Sequence, residues 1–261
     1  MIRFRTAKTI SRARYNPAMH FVDSRLVRVA SVLTLKGGNV LTNATGFFYQ
    51  RDGYLFLITC RHVVIDEPTG HYPDQLKLRV HSDRDDLTLN GELFLDLYGG
   101  GNALWREHPK LGGNIDVVAV PVLDPTVIAN WFVDTFSPAD LMDETKTLAL
   151  GQQVLVIGFP LGFNDEKHNL PMIRNATIAS VYPLPFKGQR YFITDARLHR
   201  GASGSPVIAR LFEPGCEAPV WKLLGVHAAS LDVSNREPDK DEPLGLNVTW
   251  YASLVAEVTG E

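Results

Sequence analysis

Apolar residues in this chain come in short runs, and that grain constrains its fold more than any other feature. Leu26–Leu35, Gly46–Tyr49, Leu55–Thr59, Leu76–Val80, Leu87–Asp96 and Asp116–Val122 are rich in Val, Leu, Ile, Phe and Thr. Turn formers separate them, as in Gly37-Gly38-Asn39, Arg51-Asp52-Gly53 and Asp66-Glu67-Pro68. Runs of this length with such punctuation predict strands, and so many of them predict an all-β barrel or sandwich. Leu87-Thr88-Leu89-Asn90 and Leu93-Phe94-Leu95-Asp96 alternate as half-buried strands do. Residues 124 to 147 are less regular and read as a connection with a short helix. A second set of runs follows: Val154–Gly158, Ala176–Tyr182, Tyr191–Asp195, Val207–Ala209 and Trp221–His227. In Leu246–Val258 the residues Val248, Tyr251, Leu254 and Val255 fall at helical spacing, predicting a C-terminal helix on the second set of strands.

Composition narrows the class. With 261 residues, 45% hydrophobic and 21% charged, the chain can bury a sizeable core as one large domain or two small ones. A formal net charge of −3 gives no basic surplus for nucleic acid. Arg3, Arg5, Lys8, Arg12 and Arg14 cluster with no acid before Asp23, which reads as a solvated basic segment over residues 1–24. An organelle transit peptide has the same look. The first 25 residues hold no apolar run of the kind a secretory signal needs, and no stretch approaches the roughly 20 apolar residues of a membrane helix. Cys60 and Cys216 are the only cysteines, which favours a reducing, cytoplasmic setting.

One motif carries chemistry. Gly201-Ala202-Ser203-Gly204-Ser205-Pro206-Val207 sets a serine between glycines ahead of an apolar run. Upstream, His62 follows the run Phe56-Leu57-Ile58-Thr59-Cys60-Arg61, and Asp116 stands in Asn114-Ile115-Asp116-Val117-Val118. The order His, Asp, Ser, with gaps of 54 and 87 residues, is one of the chain orders in which a Ser-His-Asp triad occurs. Cys60, two residues from His62, reads as a small core residue. Taken singly, a serine between glycines is usually a turn, and a lone His or Asp is usually structural. Their agreement in order sets them apart from the other histidines, which show no helix-spaced ligand pair and give no reason to expect a metal or cofactor.

These segments resemble the trypsin-like, chymotrypsin-fold serine proteases. Leu57–Val64 is similar to the end of the family's histidine strand, Ile115–Val120 to its aspartate segment and Gly201–Pro206 to its nucleophile loop. Phe192–Ala196 is similar to the bacterial Deg-type branch. The resemblance implies two six-stranded antiparallel β-barrels with the active site in the cleft between them and a C-terminal helix. The divisions would be 25–123 for the first barrel with His62 and Asp116, 124–147 for the linker, and 148–261 for the second barrel with Ser203. It also implies a serine endopeptidase acting on protein or peptide substrates. His62 would be the general base and acid, Asp116 its partner, and Ser203 the nucleophile. Gly201 and Ser203 would supply the oxyanion-hole N–H groups. Ala202 stands where the digestive proteases carry an Asp that pairs with a new N-terminus, so a zymogen switch of that kind is not expected.

Leu223–Ser230 resembles the pocket strand of glutamyl endopeptidases and picornaviral cysteine proteases, in which a histidine reads P1 Glu or Gln. That points to His227, helped by the hydroxyl of Ser230 and by Arg197, six residues before the nucleophile. Two other readings stand beside this one: a protease-like binding module, and an effector whose site stays silent until a partner orders it. Gly201–Ser205 also approximates the Gly-x-Ser-x-Gly elbow of α/β-hydrolases, but its fifth position is Ser205 and the triad order is wrong for that fold. The glycine-bearing stretches 99–102 and 158–171 read as candidate lids.

Overall fold

The computed structural model describes residues 22–123, 130–212, 215, 218–231 and 244–260. The basic segment over residues 1–21, the first part of the linker and Cys216 lie outside the described residues. Among the described residues, fourteen strands carry the fold: β1 (Val29–Lys36), β2 (Asn39–Arg51), β3 (Tyr54–Thr59), β4 (Gln75–His81), β5 (Asn90–Asp96), β6 (Tyr98–Gly99), β7 (Asn102–Ala103), β8 (Val118–Pro121), β9 (Gln153–Gly158), β10 (Met172–Ile178), β11 (Tyr191–Asp195), β12 (Pro206–Leu211), β13 (Val220–Ser230) and β14 (Leu246–Tyr251). Among the described residues, helices α1 (Arg61–Val64) and α2 (Ser253–Thr259) join them. The first half forms a six-stranded sheet in the order β5-β4-β1-β2-β3-β8, and the second a closed barrel in the order β10-β11-β14-β13-β12-β9. The pairings within both are antiparallel.

Local chemistry explains the hairpins. Arg51 pairs with Tyr54, leaving Asp52-Gly53 as a two-residue turn with φ of 51° and 83°. Positive φ at both positions is what a type I′ turn demands, and Asp-Gly satisfies it with little strain. Along β4, Leu76, Leu78 and Val80 are buried while Gln75, Lys77 and Arg79 are only partly so, the period of two of a one-sided strand.

The two halves share a core. Val29, Phe47, Leu57 and Val118 of the first sheet lie in one buried cluster with Ile157, Ile208, Leu223 and Val226 of the barrel. Inside the barrel, Val154, Val156, Phe192, Val207, Leu224 and Tyr251 form a second cluster. Tyr182 closes it with edge-to-face contacts to Phe192 and Tyr251.

Three sequence expectations change. Leu246–Val258 is not one helix: Leu246–Tyr251 is β14, paired to β11 on one side and β13 on the other, and only Ser253–Thr259 is helical. Ladder bonds on both sides and the run Val248-Thr249-Trp250 outweigh a helical spacing that also fits those residues. Helix α2 packs not only on β14 of the barrel but also on β8 of the first sheet, and Leu254, Val255 and Val258 join the shared core. Its carbonyl end is held by first-half arginines, Arg51 Nη1 donating to Ala256 O at 2.7 Å and Arg106 Nη1 to Gly260 O at 3.3 Å. Finally, Leu87–Leu89 precede β5 as a turn, where Asp86 Oδ1 accepts from the hydroxyl and backbone N–H of Thr88.

Candidate active site

His62 sits in α1, one turn long, directly after β3. Cys60 enters extended and buried, Val63 and Val64 bury the far side, and Arg61 ties the turn down. Arg61 donates to both carboxylate oxygens of Glu67 at 2.7 and 2.8 Å and to Glu107 at 3.0 Å. Asp116 arrives just before β8, between the buried Ile115 and Val117. It grips His62 at two points: Oδ1 accepts the backbone N–H at 2.9 Å, and Oδ2 lies 2.8 Å from the ring Nδ1. That pairing makes Nδ1–H the donor and leaves Nε2 as the basic nitrogen. Burial works against protonation of the ring, but the hydrogen bond and charge of Asp116, with a contribution from Asp66, outweigh it and raise the pKa above the usual 6.5.

The third residue comes from the other half. The loop 200–205 precedes β12 and turns through Gly201 (φ 90°) and Gly204 (φ 87°). Gly204 cannot carry a side chain, because a Cβ there would collide with Thr45 O and Thr59 Oγ1. The Ser203 hydroxyl donates to the carbonyl of Ala228 at 2.8 Å; among the described residues no hydrogen bond joins it to His62. The loop is pinned peptide by peptide. Arg200 O accepts from Leu161 N at 2.6 Å, and Gly201 O from Thr45 Oγ1 at 2.7 Å. Ala202 N donates to His199 O, and Ser205 N to Ala202 O. Ser203 O accepts from Thr45 N at 2.9 Å, and Gly204 N donates to His227 O at 2.8 Å. Among the described residues, the N–H groups of Gly201 and Ser203 have no acceptor.

His227, on β13, is buried, and its N–H donates to Ser205 O at 2.9 Å. Its ring Nδ1 is buried without a partner among the described residues. Burial first, then the positive charge available at His62, pushes its pKa down to about 3, so the imidazole is neutral at ordinary pH. Ser230 is exposed, and its hydroxyl donates to Asn247 Oδ1 at 3.2 Å. Asn247, itself buried, fixes the loop end below by donating to Ala196 O at 2.7 Å and Gly245 O at 2.9 Å. Arg197 is exposed, and its carbonyl accepts from Arg174 Nη2 at 2.6 Å.

Cys60 is the remaining polarisable group. Its Sγ, His62 and Asp116 offer ligand atoms within 4.8 Å of one another. Burial, and then the charge of Asp116, raise the thiol pKa well above its usual 9.0, and Sγ donates to His227 O at 3.3 Å. A thiol held protonated is neither a nucleophile nor a good metal ligand. Sequence reasoning missed Thr45 and the Ala228 carbonyl. Thr45 stands immediately before the apolar run that begins at Gly46, and that adjacency was its one signal; backbone acceptors leave none.

The sequence and the fold converge with known proteins. The trypsin-like peptidase domain family matches residues 44–213, a span that includes His62, Asp116 and Ser203. A search of curated proteins returned no match. Among solved structures, the serine endoprotease from Yersinia pestis superposes with a TM-score of 0.53 at 18% identity, covering 95% of this chain and 66% of that one. This chain thus spans just under two thirds of that protease's length. The Rv3671c protease from M. tuberculosis is similar in its active form (TM-score 0.48, 17% identity, 100% and 95% of the two chains) and in its inactive form (TM-score 0.48, 16% identity, 95% and 97%). On the family match and the two-sheet fold, the chain belongs to the trypsin-like peptidase domain family.

Proposed function

We propose that this chain is a serine endopeptidase, with Ser203 as nucleophile, His62 as general base and acid, and Asp116 as the group that orients and stabilises the imidazolium. The two-point grip of Asp116 on His62 carries this reading, because it fixes the tautomer that leaves Nε2 free to take a proton. For the attack, the Ser203 hydroxyl exchanges its hydrogen bond to the Ala228 carbonyl for one to His62 Nε2. As Oγ attacks the scissile carbonyl carbon, its proton passes to Nε2, and the carbonyl oxygen becomes an oxyanion received by the N–H groups of Gly201 and Ser203. His62 then returns the proton to the leaving amine, giving an acyl-enzyme. A water deprotonated by the same Nε2 hydrolyses it.

For specificity, the reading is a preference for P1 Glu or Gln at His227. A neutral imidazole carries one N–H that a carboxylate or amide oxygen of the substrate can accept. The hydroxyl of Ser230 stands on the same strand, and the exposed Arg197 adds positive field rather than a buried partner. Cleavage of an unbiased peptide library tests this. Cuts concentrated after Glu and Gln, with that preference lost in His227→Ala, are expected; cuts chiefly after Arg, Lys or large apolar residues would sink it. One observation favours the silent-effector reading, namely that the Ser203 hydroxyl rests on Ala228 O. Turnover by the purified chain without any added factor decides against it.

A further inference from the structure

The Gly201 peptide of the nucleophile loop is held from outside on both sides by neutral donors, Leu161 N–H on Arg200 O and Thr45 Oγ1 on Gly201 O, and neither residue belongs to the triad. Leu161 lies in the one-turn 3-10 segment Pro160–Gly162 after β9, at φ 55°, a left-handed conformation that is unfavourable for a leucine. In that conformation its N–H reaches Arg200 O. A trans peptide sets N–H opposite to C=O, so fixing the Arg200 carbonyl towards Leu161 turns the Gly201 N–H to the other side. Thr45 is wholly buried and uses every polar atom: Oγ1 donates to Gly201 O and accepts from Phe159 N at 3.0 Å, N donates to Ser203 O, and O accepts from Thr59 Oγ1 at 2.8 Å. The hydroxyl therefore bridges the loop that carries Leu161 and the loop that carries Ser203. The segment 158–171, read from sequence as a lid, is tied to the first sheet at its far end as well, by Asn169 Nδ2 to Arg79 O at 3.1 Å and by His81 Nε2 to His168 O at 2.8 Å.

We propose that Thr45 and the Leu161 N–H are positioning groups that hold the oxyanion hole assembled in the resting chain. On this account Ala202, buried and chargeless, needs no ion pair with a new N-terminus, and no partner is required to turn the Gly201 peptide. The inference rests on the serine-endopeptidase reading above. Thr45 touches no reacting atom; it acts through the peptide of Gly201.

The test compares Thr45→Val, which keeps the shape and loses the hydroxyl, with Thr45→Ser, which keeps the hydroxyl. Expected for Thr45→Val is a fall in kcat of about 10- to 100-fold, short of the 10²–10³ typical of losing an oxyanion donor outright, with KM within about twofold. Thr45→Ser should restore kcat to within about threefold of the native chain. Equal kcat in Thr45→Val, or a change confined to KM, would overturn the proposal. Should Thr45→Val not fold, amide hydrogen exchange on the native chain decides. The Leu161 N–H should be protected in the resting protein and stay so when a peptide boronate fills the site. Free exchange that becomes protected only on boronate binding would mean that substrate assembles the loop. A native chain inert towards fluorophosphonate would instead sink the endopeptidase reading, while exchange at Leu161 would still report on the clamp.

Discussion

His62 is pulled two ways: burial disfavours its charged form, while Asp116 and Asp66 favour it, and the carboxylates win. In its proposed role as base it must be neutral, so kcat/KM should rise with pH through an apparent pKa above 6.5 and level off beyond it. A profile already flat below pH 6 would contradict that. Asp116→Asn keeps the shape but removes the charge and allows the wrong tautomer. A loss on the order of 10⁴ in kcat is expected, with the rising limb of the profile moved to lower pH. Much of this scale was legible in the sequence. His62, Asp116 and Ser203 announce themselves by chain order and by the apolar runs beside them, since each must be mounted on a strand end. Thr45 did not, because its importance lies in a hydroxyl spanning two loops more than a hundred residues away in sequence. Nor did the exposure of Arg197, which depends on where a loop turns.

Among the elements, α2 shows how the halves are stapled. Glu257 accepts from Arg190 at 2.7 and 3.0 Å and from His108 at 2.8 Å. His108 Nδ1 accepts the N–H groups of Lys110 and Leu111, so its proton is on Nε2, aimed at Glu257. Glu257→Ala leaves that buried donor unmatched and should cost about 1–3 kcal/mol of stability in denaturant unfolding. No loss would mean that α2 is held by its apolar face alone. The strands of the first sheet could be read from periodicity and turn residues, as at Asp52-Gly53. The switch at Tyr251–Ser253 could not, since a strand flanked on both sides and a short helix share the same apolar spacing there.

At the scale of the whole molecule, burial of His227 makes stability depend on pH. Its pKa is about 3 folded, against about 6.5 for an unperturbed histidine. The unfolded chain therefore binds the extra proton first, and this contribution is complete above pH 6.5 and lost as pH falls from there towards 3. His62, with its raised pKa, works in the opposite sense: its contribution is present below 6.5 and lost as pH rises through its folded value. Glu257, held down mainly by Arg190, loses its share only as pH drops below 4.5. In His227→Gln the decline of Tm on acidification should have a shallower onset below pH 6.5, where His81, whose pKa burial also lowers, still contributes, with Glu257 entering only below 4.5. An unchanged onset would show that His227 does not govern it.

One measurement bears most directly on the central claim that His62, Asp116 and Ser203 make a working nucleophilic site. Purified chain is exposed to a fluorophosphonate probe beside Ser203→Ala and His62→Ala. The account predicts covalent labelling of the native chain at Ser203, none in Ser203→Ala, and a rate cut by orders of magnitude in His62→Ala. Labelling that persists in Ser203→Ala, or a folded native chain that never labels, would contradict it.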